Sequence, residues 1–106
     1  MSLSDRQWIF LQDVALLVQY ARARGWKLTG GNLYRTPEQN RAVNGSAHSM
    51  HMKRLAIDLN LFVDGSLVTH TAWHRPLGEF WESIRPENSW GGRFNDGNHY
   101  SQGERS

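Results

Sequence analysis

Four residues in this sequence have side chains that together could work on an amide bond. They are His51 and Asp58, in the stretch SMHMKRLAIDLNLF at 49–62, and Asp96 and His99, in WGGRFNDGNHY at 90–100. Neutral imidazoles and a carboxylate are good zinc ligands. His51, Asp58 and His99 would supply three and leave the fourth position to water, the open arrangement of catalytic rather than structural zinc. Asp96, three residues before His99, adds a carboxylate that can sit beside that water. Zinc brings the water's pKa near neutrality, and Asp96 could accept its proton. The chain has no cysteine. Thiolate metal sites, disulfides and a cysteine nucleophile are therefore excluded, and any metal must be held by His, Asp or Glu.

These residues act together only if the chain turns in two places. Residues 55–63 alternate as a strand: Leu55, Ile57, Leu59, Leu61 and Val63 share one face, and Ala56, Asp58, Asn60 and Phe62 the other. On a continuous strand the odd offset from His51 to Asp58 would point them to opposite faces, so 52–54 must turn. Asp96 and His99 are also an odd offset apart, and Gly97 between them allows a turn.

The remaining elements form a scaffold. Residues 4–24 are expected to be a helix, with Ser4 as N-cap, Gln7 closing a capping box, and Trp8, Leu11, Ala15 and Val18 at helical spacing. Gly25 follows as its C′ residue. A short strand is expected in 26–31. TPEQNRAVNG at 36–45 reads as a short helix opened by Thr and Pro. Asp64-Gly65 predicts a hairpin into SLVT. RPLGEFWESI at 75–84 predicts a second helix, SWGGRF at 89–94 an edge strand, and NDGNHYS a turn and a short strand. Helices and a hairpin-based sheet without regular alternation make an α+β domain, an antiparallel sheet flanked by helices, in one unit over 1–106 with no separate wall-binding domain.

Composition narrows the classes. Twelve Lys and Arg against ten Asp and Glu give a formal charge of +2, with no dense basic block of the kind a phosphate backbone would require. A nucleic-acid partner is not expected, though a weakly basic surface tolerates an anionic polymer such as a bacterial cell wall. The longest apolar run, VALLV at 14–18, is too short to cross a membrane. Asp5 and Asp13 fall where a signal peptide would be basic and then apolar. The expectation is a monomer made in the cytoplasm, reaching a wall only after another protein opens the membrane.

Ser49, His51 and Asp58, with Ala56 two residues before the aspartate, resemble the zinc motif of the M15 family of D-Ala-D-Ala carboxypeptidases and VanX-like dipeptidases. WGGRFNDGNHY resembles the end of its phage endolysin branch, the L-alanyl-D-glutamate endopeptidases, where a Trp-Gly-Gly segment leads to an Asp-x-x-His pair of base and ligand. YRTPEQN resembles that family's substrate-side segment ahead of a helix. The likeness spans about 29–100. Arg54 stands where related motifs often carry glycine. The resemblance implies a small α+β zinc peptidase fold, one Zn2+ held by His51, Asp58 and His99, and Asp96 as base. The substrate would be the peptidoglycan stem peptide, cut between L-Ala and D-Glu. A D-Ala-D-Ala carboxypeptidase, or a non-catalytic zinc or wall-binding module of the same fold, is the alternative. Arg35 is expected to hold a substrate carboxylate or the oxyanion. Ser49 either orients substrate or bonds the loop backbone, and Gln39 is a further substrate contact. Trp90 is expected to be both groove wall and core, and Trp73 and Trp81 core. His48, His70 and His74 are expected at the surface.

Overall fold

The computed structural model describes residues 1–31, 53 and 55–103. The helix expected at 36–45, and with it Arg35, Gln39, His48, Ser49, His51 and Arg54, lies outside the described residues.

Helix α1 spans Leu3–Ala23. Its cap is Ser2 rather than Ser4. The Ser2 hydroxyl accepts from the Asp5 amide at 3.1 Å, and the Asp5 carboxylate accepts from the Ser2 amide at 3.3 Å. Asp5 wins because a carboxylate in the first turn answers both the free amides and the helix dipole. Gln7 instead donates to the Lys53 carbonyl at 3.0 Å. Gly25 follows the helix at φ +78°, a left-handed turn that suits glycine.

The buried face of α1 also differs from expectation. Phe10, Val14, Leu17 and Ala21 face the core, whereas Trp8 is 61 % exposed and Leu11 59 %. Both stripes have helical spacing, and the partner decides between them. Phe10 meets Trp81 edge-on at 5.7 Å, and Tyr20 stacks on Phe80 at 4.3 Å.

Strands β1 (Lys27–Gly30), β2 (Ala56–Val63), β3 (Ser66–Val68), β4 (Asn88–Trp90) and β5 (His99–Gln102) form an antiparallel sheet in the order β1-β2-β5-β4, with β3 also on β2. The β2–β3 hairpin turns at Asp64 (φ 52°) and Gly65 (φ 80°), the paired left-handed residues expected of Asp-Gly. Helix α2 spans Thr71–Ile84, four residues longer at its start than expected. His70 is its N-cap, accepting from the Ala72 amide at 3.2 Å, and Pro76 lies inside the helix. Residues Gly91–Phe94 form a 3-10 turn rather than a continued strand.

Leu17, Leu61, Leu77, Trp81 and Tyr100 are fully buried between the helices and the sheet. The Trp81 indole N–H donates to the carbonyls of Ser89 and Ser101 at 3.1 and 3.0 Å, tying α2 to β4 and β5. Trp73, expected in the core, is 46 % exposed. Asp13 is 1 % exposed, yet it accepts from Arg85, Asn88 and Gln102 at 2.8 to 3.3 Å. The fold is thus α+β, one small domain with helices against an antiparallel sheet. Among the described residues no helix is long and apolar enough to cross a membrane.

Candidate active site

Asp58 lies on β2 directly opposite His99 on β5. The Leu59 amide donates to the Asn98 carbonyl at 2.9 Å and the Gln102 amide to the Leu55 carbonyl at 2.9 Å. Asp58 and His99 are therefore a non-hydrogen-bonded pair, the kind whose side chains stand closest. His99 Nδ1 is 3.1 Å from Asp58 Oδ1, and both side chains are half-buried, at 14 % and 17 % exposure. On its other edge, the Asp58 carbonyl accepts from the Gly31 amide at 2.7 Å. The carboxylate is thus carried by a strand bonded on both sides.

Asp96 reaches the same place through a turn. Its amide donates to the Gly91 carbonyl at 2.9 Å, and its carbonyl accepts from the His99 amide at 3.1 Å. A Cβ added at Gly91 would lie 2.9 Å from the His99 Cβ and 3.2 Å from the Asp96 Cβ. The His99 and Asp96 Cβ atoms therefore both border Gly91, a backbone position that must be glycine. Gly97 is needed for space rather than for φ: a Cβ there would lie 2.8 Å from Thr71 Cα, at the start of α2.

Trp90 holds this turn from below. It is 2 % exposed, its ring fits against Gly78 and Gly92, and its indole N–H donates to the Gly97 carbonyl at 2.7 Å. It meets the expectation of a core residue, but a ring so buried is not an open groove wall. Its link to the site runs through Gly97. His74, expected at the surface, is 2 % exposed beneath β5, with Nδ1 2.8 Å from the Tyr100 hydroxyl. Burial lowers the His74 pKa and raises that of Tyr100, so both stay neutral at ordinary pH. The signal for His74 was in the sequence: it shares one helix face with Leu77, Gly78 and Trp81, all buried. His70 is exposed, as expected, but also caps α2.

A family profile described as Peptidase M15 matches residues 6–80, well over half of the chain. The chain belongs to the M15 peptidase family. A search of curated proteins finds no match. The matched span of this M15 peptidase contains Asp58 and stops before Asp96 and His99. The sheet register is what connects the two parts.

Asp58 and His99 could hold a metal. Two donor atoms on one tetrahedral zinc lie roughly 3.3 Å apart, given the usual zinc–nitrogen and zinc–oxygen lengths. The pair stands at 3.1 Å as a hydrogen bond, on side chains that strand pairing brings together, so a small adjustment would reach that spacing. Among the described residues there is no cluster of three or more metal-binding side chains. His51, expected as the third ligand, lies outside them.

Proposed function

We propose that this M15 peptidase is a zinc-dependent, endolysin-like peptidoglycan hydrolase that cuts the stem peptide between L-Ala and D-Glu. The observation that carries the reading is the juxtaposition of Asp58 and His99 at 3.1 Å, with Asp96 beginning beside His99. A structural ion pair would not need a second acidic residue brought in by a turn over Gly91. His51 would complete the ligand set. Zinc bound there would supply a Lewis acid that polarises the scissile carbonyl and makes water a better nucleophile.

The residues of this chain do the rest. Asp96 accepts the proton of the attacking water and passes it to the leaving amine. Arg35 meets the charge that develops on the carbonyl oxygen, or a substrate carboxylate. Trp90 and Gly91 position the turn that carries Asp96. Mass analysis of products from purified peptidoglycan, with and without a chelator, tests the reading. Chelator-sensitive release of fragments with a new D-Glu amino terminus is the expected result. Release of D-alanine alone would convert the reading to a carboxypeptidase, and no cleavage would leave a binding module.

A further inference from the structure

The sheet has a gap beside the site. On one edge of β2, β5 pairs as far as Asp58 opposite His99, and β3 begins at Leu61 opposite Val68. Between them opens a cleft of ≈ 200 Å³, lined among others by Asn60, Thr69, Thr71, Asn95, Asp96 and Asn98. Its walls come from four places: β2, the end of β3, the start of α2, and the turn that carries Asp96.

The chemistry of those walls is specific. They present carboxamides and hydroxyls beside the aliphatic Leu59, Leu67 and Val68, and among the described residues no Lys or Arg lines them. Among the described residues that line it Asp96 is the one carboxylate, and it would repel an anion. His74, at the floor, is held neutral by burial. At the start of α2 two amides are already taken: the His70 side chain accepts from the Ala72 N–H at 3.2 Å and the His70 carbonyl from the Trp73 N–H at 3.0 Å. The cleft therefore suits an uncharged group rich in hydrogen-bonding atoms, directly beside the proposed proton acceptor.

In the bond between L-Ala and D-Glu the two halves differ in charge. The glycan-proximal half, with its lactyl amide and the sugar's N-acetyl group, is uncharged. The other half begins with a residue that carries a free carboxylate. We infer that the cleft between β3 and β5 is a subsite for the uncharged, glycan-proximal half of the stem, so that the enzyme favours stem peptides still attached to glycan. The acidic half then runs away from the cleft. This inference rests on the peptidase reading above.

The test compares two substrates, a disaccharide-linked stem peptide and the same peptide N-acetylated without sugar. The wild-type protein is expected to have the higher kcat/KM on the glycan-linked substrate, mainly through KM. Thr69→Val and Asn60→Ala should each shrink that preference about 3–10-fold, the range for one hydrogen bond lost to an uncharged partner. Thr69 is exposed, so its variant does not threaten folding. A wild-type enzyme with no preference, or variants that keep it, would overturn the inference. Binding of N-acetylmuramyl-L-alanine methylamide, an uncharged fragment, followed by NMR shifts, separates the two readings. If neither substrate is cut but the fragment binds and Thr69→Val weakens it, the peptidase reading fails and the subsite stands. No shift with the fragment sinks the subsite.

Discussion

Two carboxylates in this molecule meet side chains of strand β5 and have opposite fates. Asp13 faces Gln102 at one end, and Asp58 faces His99 at the other. Gln102 and His99 are three residues apart, so they point to opposite faces of the sheet. Asp13 is sealed in the core, 1 % exposed, and surrounded by donors of its own chain: Arg85, Asn88 and Gln102. Asp58 is half-buried and opposite an imidazole. A buried carboxylate ringed by donors is a staple joining α1 to β4, β5 and the end of α2. A partly exposed carboxylate opposite an imidazole is the one proposed above to serve a metal from outside the chain. Exposure and the chemistry of the neighbours separate the two roles, although the residue type is the same.

The largest effect that could break this contrast belongs to Asp96. Asp96→Asn should lower peptidoglycan cleavage by about 10²–10⁴-fold, the range for a positioned acid–base group, while zinc content and thermal midpoint stay unchanged. Asp58→Asn should lose metal affinity as well as rate. Normal cleavage by zinc-loaded Asp96→Asn would reduce that residue to a turn former.

Gly91→Ala sharpens the same side of the comparison. Its new Cβ would collide first with the Asp96 backbone carbonyl oxygen and then with the His99 Cβ at 2.9 Å, displacing the turn that carries Asp96 and His99. A displacement on the order of 1 Å can lower activity about 10²-fold. Kinetics together with a urea melt should show rate falling well out of proportion to stability.

Asp13→Leu should behave in the reverse sense. It strands the donors of Arg85, Asn88 and Gln102, and about 3 kcal/mol of stability should go, toward the low end for a broken buried pair because the Arg85 side chain is 34 % exposed. Activity per folded molecule should hold. A urea melt that matches wild type would show that the network is not a staple.

The smallest effect is pH dependence. The folded pKa of His74 lies below its ordinary value of 6.5, because burial disfavours the charged ring. The unfolded chain therefore binds the proton more readily, and stability is complete above pH 6.5 and lost as pH falls through the folded value. His74→Gln keeps a polar group near Tyr100 and should flatten that acid limb of the thermal midpoint against pH. An unchanged limb would assign the acid sensitivity elsewhere.

Local chemistry was legible in the sequence wherever a short stretch settles its own conformation. The alternation of 55–63, the Asp64-Gly65 hairpin and the Gly25 helix end need only neighbouring residues, and each is present in the structure. Residue type and spacing also made Asp58, Asp96 and His99 candidates, and the register sets Asp58 opposite His99. What tertiary structure alone decided was which of two equivalent choices is used. Helix α1 carries two apolar stripes, and the one with Phe10 and Leu17 is buried because Trp81 meets it. His74 goes inside because Tyr100 offers it a partner. Asp58 meets His99 because the register aligns two residues 41 apart in sequence. Spacing along a chain fixes the direction of a side chain relative to its own backbone, and only packing between elements determines what that side chain meets.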